Sequence, residues 1–229
     1  AFAIIDMAKR CGADAVKMQT YTPDTITINS TNKDFLINDG LWAGRTLHQL
    51  YDWAHTPWNW HRDLFDYAKR KHITIFSTPF DFTAVDLLEE LDAPAYKIAS
   101  FECIDLPLIR RVASTGKPMI ISTGMATLSE LKETVQVIRE EGCEQFVLLK
   151  CTSTYPANPE NSNLMTIPHL KKLFDCEVGL SDHTMGIGGA VAAVALGATV
   201  IEKHFTLNRS DGGVDSSFSL EPSEIKSLV

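Results

Sequence analysis

Glu177-Val178-Gly179-Leu180-Ser181-Asp182-His183-Thr184, a helical pattern over residues 187–197, and then Thr199-Val200-Ile201-Glu202-Lys203-His204-Phe205-Thr206 form the stretch that decides the fold. Two short apolar, β-branched runs flank one helix, which is the pattern of a parallel βαβ unit. The same alternation recurs outward from it. Strands are expected at residues 15–19, 74–77, 95–99, 119–122, 146–150, 177–180 and 199–204. Helices are expected near residues 2–11, 58–71, 81–91, 105–115, 128–141, 166–174 and 187–197. Nearly continuous apolar strands suit a sheet covered on both faces. Seven strands led by a helix call for one strand more, because eight close a barrel. The expectation is an α/β chain forming a (β/α)8 TIM barrel over residues 1–229, without its first strand and part of its last helix. A doubly wound open sheet is the alternative, but it normally carries a Gly-rich phosphate turn after its first strand, and this chain has none.

The bulk numbers narrow the function classes. A net charge of −8 leaves no basic footprint for nucleic acid. No apolar run reaches the length of a membrane span, so no membrane partner is expected. An acidic chain that handles anions must gather positive charge locally, which draws attention to single lysines and to metals. Cys11, Cys103, Cys143, Cys151 and Cys176 are odd in number and form no CxxC pair, so small buried apolar residues in a reducing, cytoplasmic setting are expected. The opening residues read at once as an amphipathic helix with Phe2, Ile5, Met7 and Ala8 near one face, not as a signal peptide. Pro222-Ser223-Glu224-Ile225 reads as the first turn of a helix. The chain is expected to be a fragment lacking native sequence at both ends. Residues 21–57 form the one long irregular stretch. Loops of that length are often functional, and Trp42, His48, Trp53 and His55 within it suggest that it folds over something.

The strand ends carry the chemistry. They read Lys17-Met18-Gln19-Thr20, Ser77-Thr78-Pro79, Lys97-Ile98-Ala99-Ser100-Phe101-Glu102, Ser122-Thr123-Gly124, Thr152-Ser153-Thr154-Tyr155, Ser181-Asp182-His183 and Glu202-Lys203-His204. In a parallel barrel these ends meet at one face, where active sites are built. Lysines with hydroxyl and backbone donors suit a phosphate or a carboxylate. Taken singly, a Ser or Thr after a strand more often caps the next helix, a Lys snorkels to solvent, and a His is a hydrogen-bonded core residue. The conjunction changes those odds. His183 and His204 end consecutive strands, which lie ~5 Å apart. Two imidazoles there are placed to share a divalent cation, with waters at the remaining positions.

Four of these segments resemble the sialic acid synthase family: Ala13-Asp14-Ala15-Val16-Lys17-Met18-Gln19-Thr20-Tyr21, Ser122-Thr123-Gly124-Met125, Ser181-Asp182-His183-Thr184 and Glu202-Lys203-His204-Phe205-Thr206-Leu207. The resemblance runs over essentially the whole chain. Asp211-Gly212-Gly213-Val214-Asp215-Ser216-Ser217-Phe218-Ser219-Leu220-Glu221-Pro222 is similar to the pseudaminic acid branch of that family; neuraminate-type members usually carry a Gly-Pro-Asp-His-like segment there. The resemblance implies a divalent metal, manganese above all with magnesium or cobalt as alternatives, held by His183 and His204. It implies phosphoenolpyruvate bound by Lys17, Thr78, Lys97, Ser100, Ser122, Ser181 and Asp215, with Ser153 at a position often Asn in neuraminate-type relatives. Gln19, Glu102 and Tyr155 fall near the sugar acceptor, and Gln19, Glu102 and Lys17 are the catalytic candidates. Family members usually add an N-terminal strand ending in a Glu-Ile-Gly-like motif and a C-terminal antifreeze-like domain that reaches over the partner's barrel in a homodimer; neither is in this sequence.

The reaction so implied joins phosphoenolpyruvate to an open-chain amino-sugar aldehyde and releases phosphate. The branch points to 2,4-diacetamido-2,4,6-trideoxy-altropyranose as acceptor and pseudaminic acid as product. N-acetylneuraminate and legionaminate synthases are the alternatives within the family. Outside it stand a metal-dependent pyruvate aldolase, a Schiff-base aldolase using Lys17 or Lys97, and a sugar-binding barrel without activity. Phe218 is expected first as a core anchor beneath the terminal helix and second as an apolar contact for the sugar's methyl group.

Overall fold

The computed structural model describes residues 1–229. In chain order the elements are α1 (Phe2–Arg10), β1 (Ala15–Thr20), α2 (Pro23–Ile26), α3 (Leu47–Ala54), α4 (His61–Arg70), β2 (Thr74–Pro79), α5 (Phe82–Glu90), β3 (Tyr96–Ile98), α6 (Leu106–Ala113), β4 (Met119–Ser122), α7 (Leu128–Glu140), β5 (Phe146–Cys151), α8 (Thr166–Phe174), β6 (Glu177–Asp182), α9 (Gly188–Ala195), β7 (Ile201–Lys203) and α10 (Pro222–Leu228). The seven strands pair in sequence order, every neighbour parallel. β1 and β7 are the edges and do not pair with each other, so the sheet is not a closed eight-stranded barrel. It is strongly curled all the same. Lys17 on edge strand β1 and Lys97 on β3 both reach Glu202 on the opposite edge strand β7, at 3.4 and 3.5 Å. No helix is long and apolar enough to cross a membrane.

Alternation along the strands sorts side chains to two faces. Tyr96, Ile98, Ile121, Leu148 and Val178 point out and are buried with Leu88, Ile109, Val112 and Ile138 from the surrounding helices. This is the core, and it explains the apolar runs. Lys17, Thr78, Lys97, Ser122, Ser181 and Glu202 fall on the inner face by the register Lys17↔Phe76, Gln19↔Thr78, Lys97↔Ile120 and Ser181↔Glu202. Helices lie along the outer face of the sheet. Cys11, Leu220 and Ile225 pack together with Met7 and Leu228, so the first and last helices meet although the edge strands do not.

Three differences from the sequence reading have clear causes. Residues 21–57 are not all irregular: α3 is nucleated by a capping box, in which Thr46 Oγ1 accepts from the Gln49 backbone N–H and the Gln49 side chain accepts from the Thr46 N–H. The expected strands at 95–99 and 199–204 shrink to Tyr96–Ile98 and Ile201–Lys203, because the chain leaves the ladder to carry Ser100 and His204 into the mouth. Phe2 does not join the core; it stays exposed and lies against the Tyr67 ring at 4.5 Å, while Ile5 and Ala8 are buried.

Candidate active site

The hydroxyls at the strand ends are free of capping duty. α5, α6 and α7 are capped by Asp81, Asp105 and Thr127, each a few residues past its strand, and not by Thr78, Ser100 or Ser122. What remains at the mouth is therefore available to a ligand. Thr78 Oγ1 is buried with no hydrogen-bond partner, which marks a donor waiting for an acceptor.

Glu202 organises the floor. Its carboxylate accepts from Ser181 Oγ at 2.7 Å and faces Lys97 Nζ and Lys17 Nζ. Lys97 is only 2% exposed and also donates to Ser122 Oγ at 2.7 Å and to the Ile98 carbonyl at 3.2 Å. Burial disfavours the charged form of Glu202, but the two ammonium groups and the Ser181 hydroxyl outweigh it and hold the carboxyl far below the usual carboxylate range. Burial pulls Lys97 the other way, downward, against the attraction of Glu202. Two cations share one anion here, so the cradle keeps an excess of positive charge in a chain whose net charge is −8.

Beside this floor, Gly124 lets two hydroxyls crowd the backbone. A Cβ at 124 would collide with Ser100 Oγ and lie 2.5 Å from Ser153 Oγ. Only glycine fits that approach. Cys151 Sγ lies 3.5 Å from Ser153 Oγ, and the His183 ring pulls the thiol down to about 7 despite its burial.

The two histidines converge as expected, with ring centroids 5.3 Å apart. His183 Nδ1 is 2.9 Å from the Thr152 carbonyl. A carbonyl can only accept, so Nδ1 carries the hydrogen, which leaves Nε2 as the nitrogen that could face a ligand. His204 Nδ1 likewise faces the Asp215 carboxylate at 3.3 Å. Burial, opposed by Asp215 and helped by Lys17 and His183, lowers the His204 pKa and favours the neutral ring. Two imidazoles, each held through Nδ1 by an oxygen acceptor, are a donor set that fits a divalent cation. They do not belong to a ready-made cluster of three or more His, Cys, Asp or Glu ligands. Further positions on an ion would fall to water or substrate oxygens.

Aromatic side chains roof the histidines. Tyr155 lies 4.4 Å from the His183 ring and 5.4 Å from Phe218, and Phe218 lies 5.1 Å from His204. Phe218 is thus buried in the mouth and not beneath α10. Trp42 completes the roof: its indole N–H donates to the Val214 carbonyl at 3.1 Å and its ring sits 6.3 Å from Tyr155. The long 21–57 segment does fold over the site. On the far side Glu102 has one buried carboxylate oxygen without a partner, and burial pushes its pKa up to about 7. Gln19, in contrast, is exposed and makes no side-chain hydrogen bond to the other candidates.

Sequence reading placed Lys17 and Lys97 correctly on one cradle but missed that both already pair with Glu202. The signal was present: Glu202 lies on β7 and His204 two residues on, just past its end, so alternation turns both to the inner face. Cys151 was missed for a simpler reason, since an apolar strand hides a thiol.

Comparison with known proteins agrees with this geometry. The profile described as the NeuB family matches residues 4–229. A pseudaminic acid synthase of Campylobacter jejuni is 50% identical over 98% of the chain and 66% of its own length. One of Helicobacter pylori is 46% identical over 96% of the chain and 65% of its own length. The chain thus spans just under two thirds of these curated relatives. An N-acetylneuraminic acid synthetase of Leptospira borgpetersenii, solved in complex with citrate, superposes with a TM-score of 0.89 at 32% identity, covering 99% of this chain and 74% of that one.

Proposed function

The chain belongs to the NeuB family, and on that premise we propose that it carries the catalytic face of a synthase that condenses phosphoenolpyruvate with an open-chain 2,4-diacetamido-2,4,6-trideoxy sugar to give pseudaminic acid and phosphate. The observation that carries the reading is the cradle in which Lys17 and Lys97 share the single carboxylate of Glu202. Its surplus cation, with Ser122, Ser181 and the unpartnered Thr78, suits the phosphate and carboxylate of phosphoenolpyruvate. Ser100, Ser153 and Asp215 line the same mouth and belong to this assignment.

His183 and His204 would hold the divalent ion, manganese in this reading, which when bound supplies Lewis-acid polarisation of the sugar's carbonyl oxygen. Everything else falls to the chain itself. Lys17 and Lys97 hold the anionic substrate so that its enol carbon faces the aldehyde, and fixed charges of this kind need no reorganisation during reaction. Carbon–carbon bond formation leaves positive character at C2, water adds there, and phosphate departs by C–O cleavage. Glu102, half-protonated near neutrality, is suited to move a proton to or from a sugar hydroxyl or the attacking water. Tyr155 and Trp42, with the buried Phe218 packed behind Tyr155, offer apolar surface to a 6-deoxy sugar's methyl and acetamido groups. The exposed apolar rim of Phe101 and Met125 and the five free cysteines fit the further reading of a homodimer in the cytoplasm.

The test is product analysis. Phosphoenolpyruvate with Mn2+ and the diacetamido trideoxy sugar should release phosphate and give a product with the mass of pseudaminic acid. Equal or better turnover of N-acetylmannosamine would remove the branch assignment, and phosphate release with neither acceptor would remove the synthase reading.

A further inference from the structure

Behind the histidines, on the face of the sheet turned away from the mouth, lies a second ionic arrangement that the proposed chemistry does not use. Asp182 and Lys203 each precede one of the two histidines, so strand alternation places them on the opposite face. They are register partners on β6 and β7, and theirs is the last pair in that ladder. His183 and His204 lie one residue beyond it, where strand-to-strand pairing has stopped. Their carbonyls are held instead by loop N–H groups, those of Ala157 and Leu220. Nothing in the backbone ladder fixes one histidine relative to the other.

The side chains do. Lys203 Nζ lies 3.0 Å from Asp182 Oδ2, with both side chains under 5% exposed. The other carboxylate oxygen accepts from the Thr184 N–H at 2.9 Å and from Thr184 Oγ1 at 2.8 Å, and Lys203 Nζ also donates to the Thr184 carbonyl at 2.6 Å. Thr184 is the residue after His183, so His183 is bracketed on both sides by groups tied to Lys203. The start of α9 closes over this knot: a Cβ at Gly189 would come within 3.2 Å of Thr184 Oγ1 and 3.3 Å of Asp182 Oδ2. A buried ion pair is a poor way to gain stability, since well-packed apolar side chains do as well. It is a good way to fix direction and register.

We propose that the Asp182–Lys203 pair is a positioning clamp that carries the β6–β7 register one residue past the ladder and so holds His183 and His204 at the spacing needed to share one divalent ion. The proposal rests on the metal reading above, and it concerns positioning residues that touch neither substrate nor ion.

Mn2+ affinity of the chain, read from the electron paramagnetic resonance signal of free Mn2+, tests it together with Tm measured without metal. Asp182→Asn and Lys203→Met each leave a buried charge alone and should lower Tm. The double variant removes both charges, so its Tm should return to near that of the wild type, while its Mn2+ affinity stays ~10- to 100-fold weaker, as expected when groups that orient a metal ligand are lost. A double variant with restored Tm and wild-type Mn2+ affinity overturns the clamp. If the double variant does not fold, Thr184→Val decides: it removes one bond to Asp182, should keep Tm within a few degrees, and should weaken Mn2+ binding severalfold; unchanged binding overturns the proposal. Wild-type chain that binds no Mn2+, or His183→Ala and His204→Ala variants that bind it normally, overturn the metal reading itself, a pattern distinct from failure of the clamp alone.

Discussion

Lys97 is the clearest case of a residue whose surroundings define its work. It is almost wholly enclosed, yet its partners are one shared carboxylate, one hydroxyl and one carbonyl. Replacing it by Met keeps the volume and deletes the charge, while Lys17 still faces Glu202. The expected result is a ten- to hundred-fold rise in the KM for phosphoenolpyruvate, the size of a lost charged contact, with a much smaller change for the sugar. Steady-state kinetics with each substrate varied in turn will show it. Glu102 gives a pH prediction. Its folded pKa of about 7 stands above the ordinary value of 4.5 because burial disfavours the carboxylate. Between those values the folded chain keeps a proton that the unfolded chain has released, so stability falls as pH rises through the window and the full penalty is present above it. Glu102→Gln should therefore match the wild type in Tm at pH 4.5 and exceed it at pH 8, by the equivalent of about 1–3 kcal/mol. A thermal melt series across that range checks the sign. At this scale the sequence was readable where a polar residue interrupts or follows an apolar strand, as with Lys17, Lys97, His183 and His204. It did not show how such residues pair: alternation turns Glu202 inward, but that it takes both Lys17 and Lys97 depends on strands far apart in the chain.

Elements were readable in proportion to their periodicity. The strands and outer helices announce themselves through buried rows such as Ile109, Val112 and Leu108 on α6. α3 did not, because its apolar face points at a loop and not at the core, leaving only the Thr46–Gln49 capping box as a cue. That helix belongs to the segment which Trp42 fastens to the Val214 carbonyl. The hydrogen bond joins two loops and supports little of the core. Trp42→Ala should leave Tm within about 2–3 °C of the wild type but speed proteolytic cleavage within residues 21–57, since loop tips released from their anchors are the preferred sites of nicking. A time course of limited proteolysis with fragment masses will locate the cuts; cleavage elsewhere first would mean that Trp42 does not fasten this loop.

The whole molecule is held together differently on its two layers. Outside, the first and last helices are joined through Cys11, Leu220 and Ile225. Leu220 is fully enclosed there, and its backbone bonds to both His204 and Thr206. Leu220→Ala should cost ~2–5 kcal/mol, the range for a buried leucine, seen as a lowered midpoint in urea at unchanged slope. Inside, the curl of the sheet was legible as the arc of the expected barrel, but the contact between its two edge strands was not. Sequence predicts strands and their order, but whether the end strands meet depends on contacts between residues nearly two hundred positions apart.

The inner layer's two edge strands share no backbone bond, and what spans from one to the other is the Lys17–Glu202 pair. The sheet is therefore a cuff fastened by an electrostatic clasp. A hydrogen-bonded seam ignores dissolved ions, but a clasp of two charges, its side chains 23% and 16% exposed, feels them. An arriving anion competes with Glu202 for the same ammonium group, so filling the cradle and fastening the cuff draw on one charge. Amide exchange along β1 should quicken as sodium chloride rises from 0.05 to about 0.5 M, where the screening length shrinks to a few ångströms, and should leave β4, deep within the ladder, unchanged.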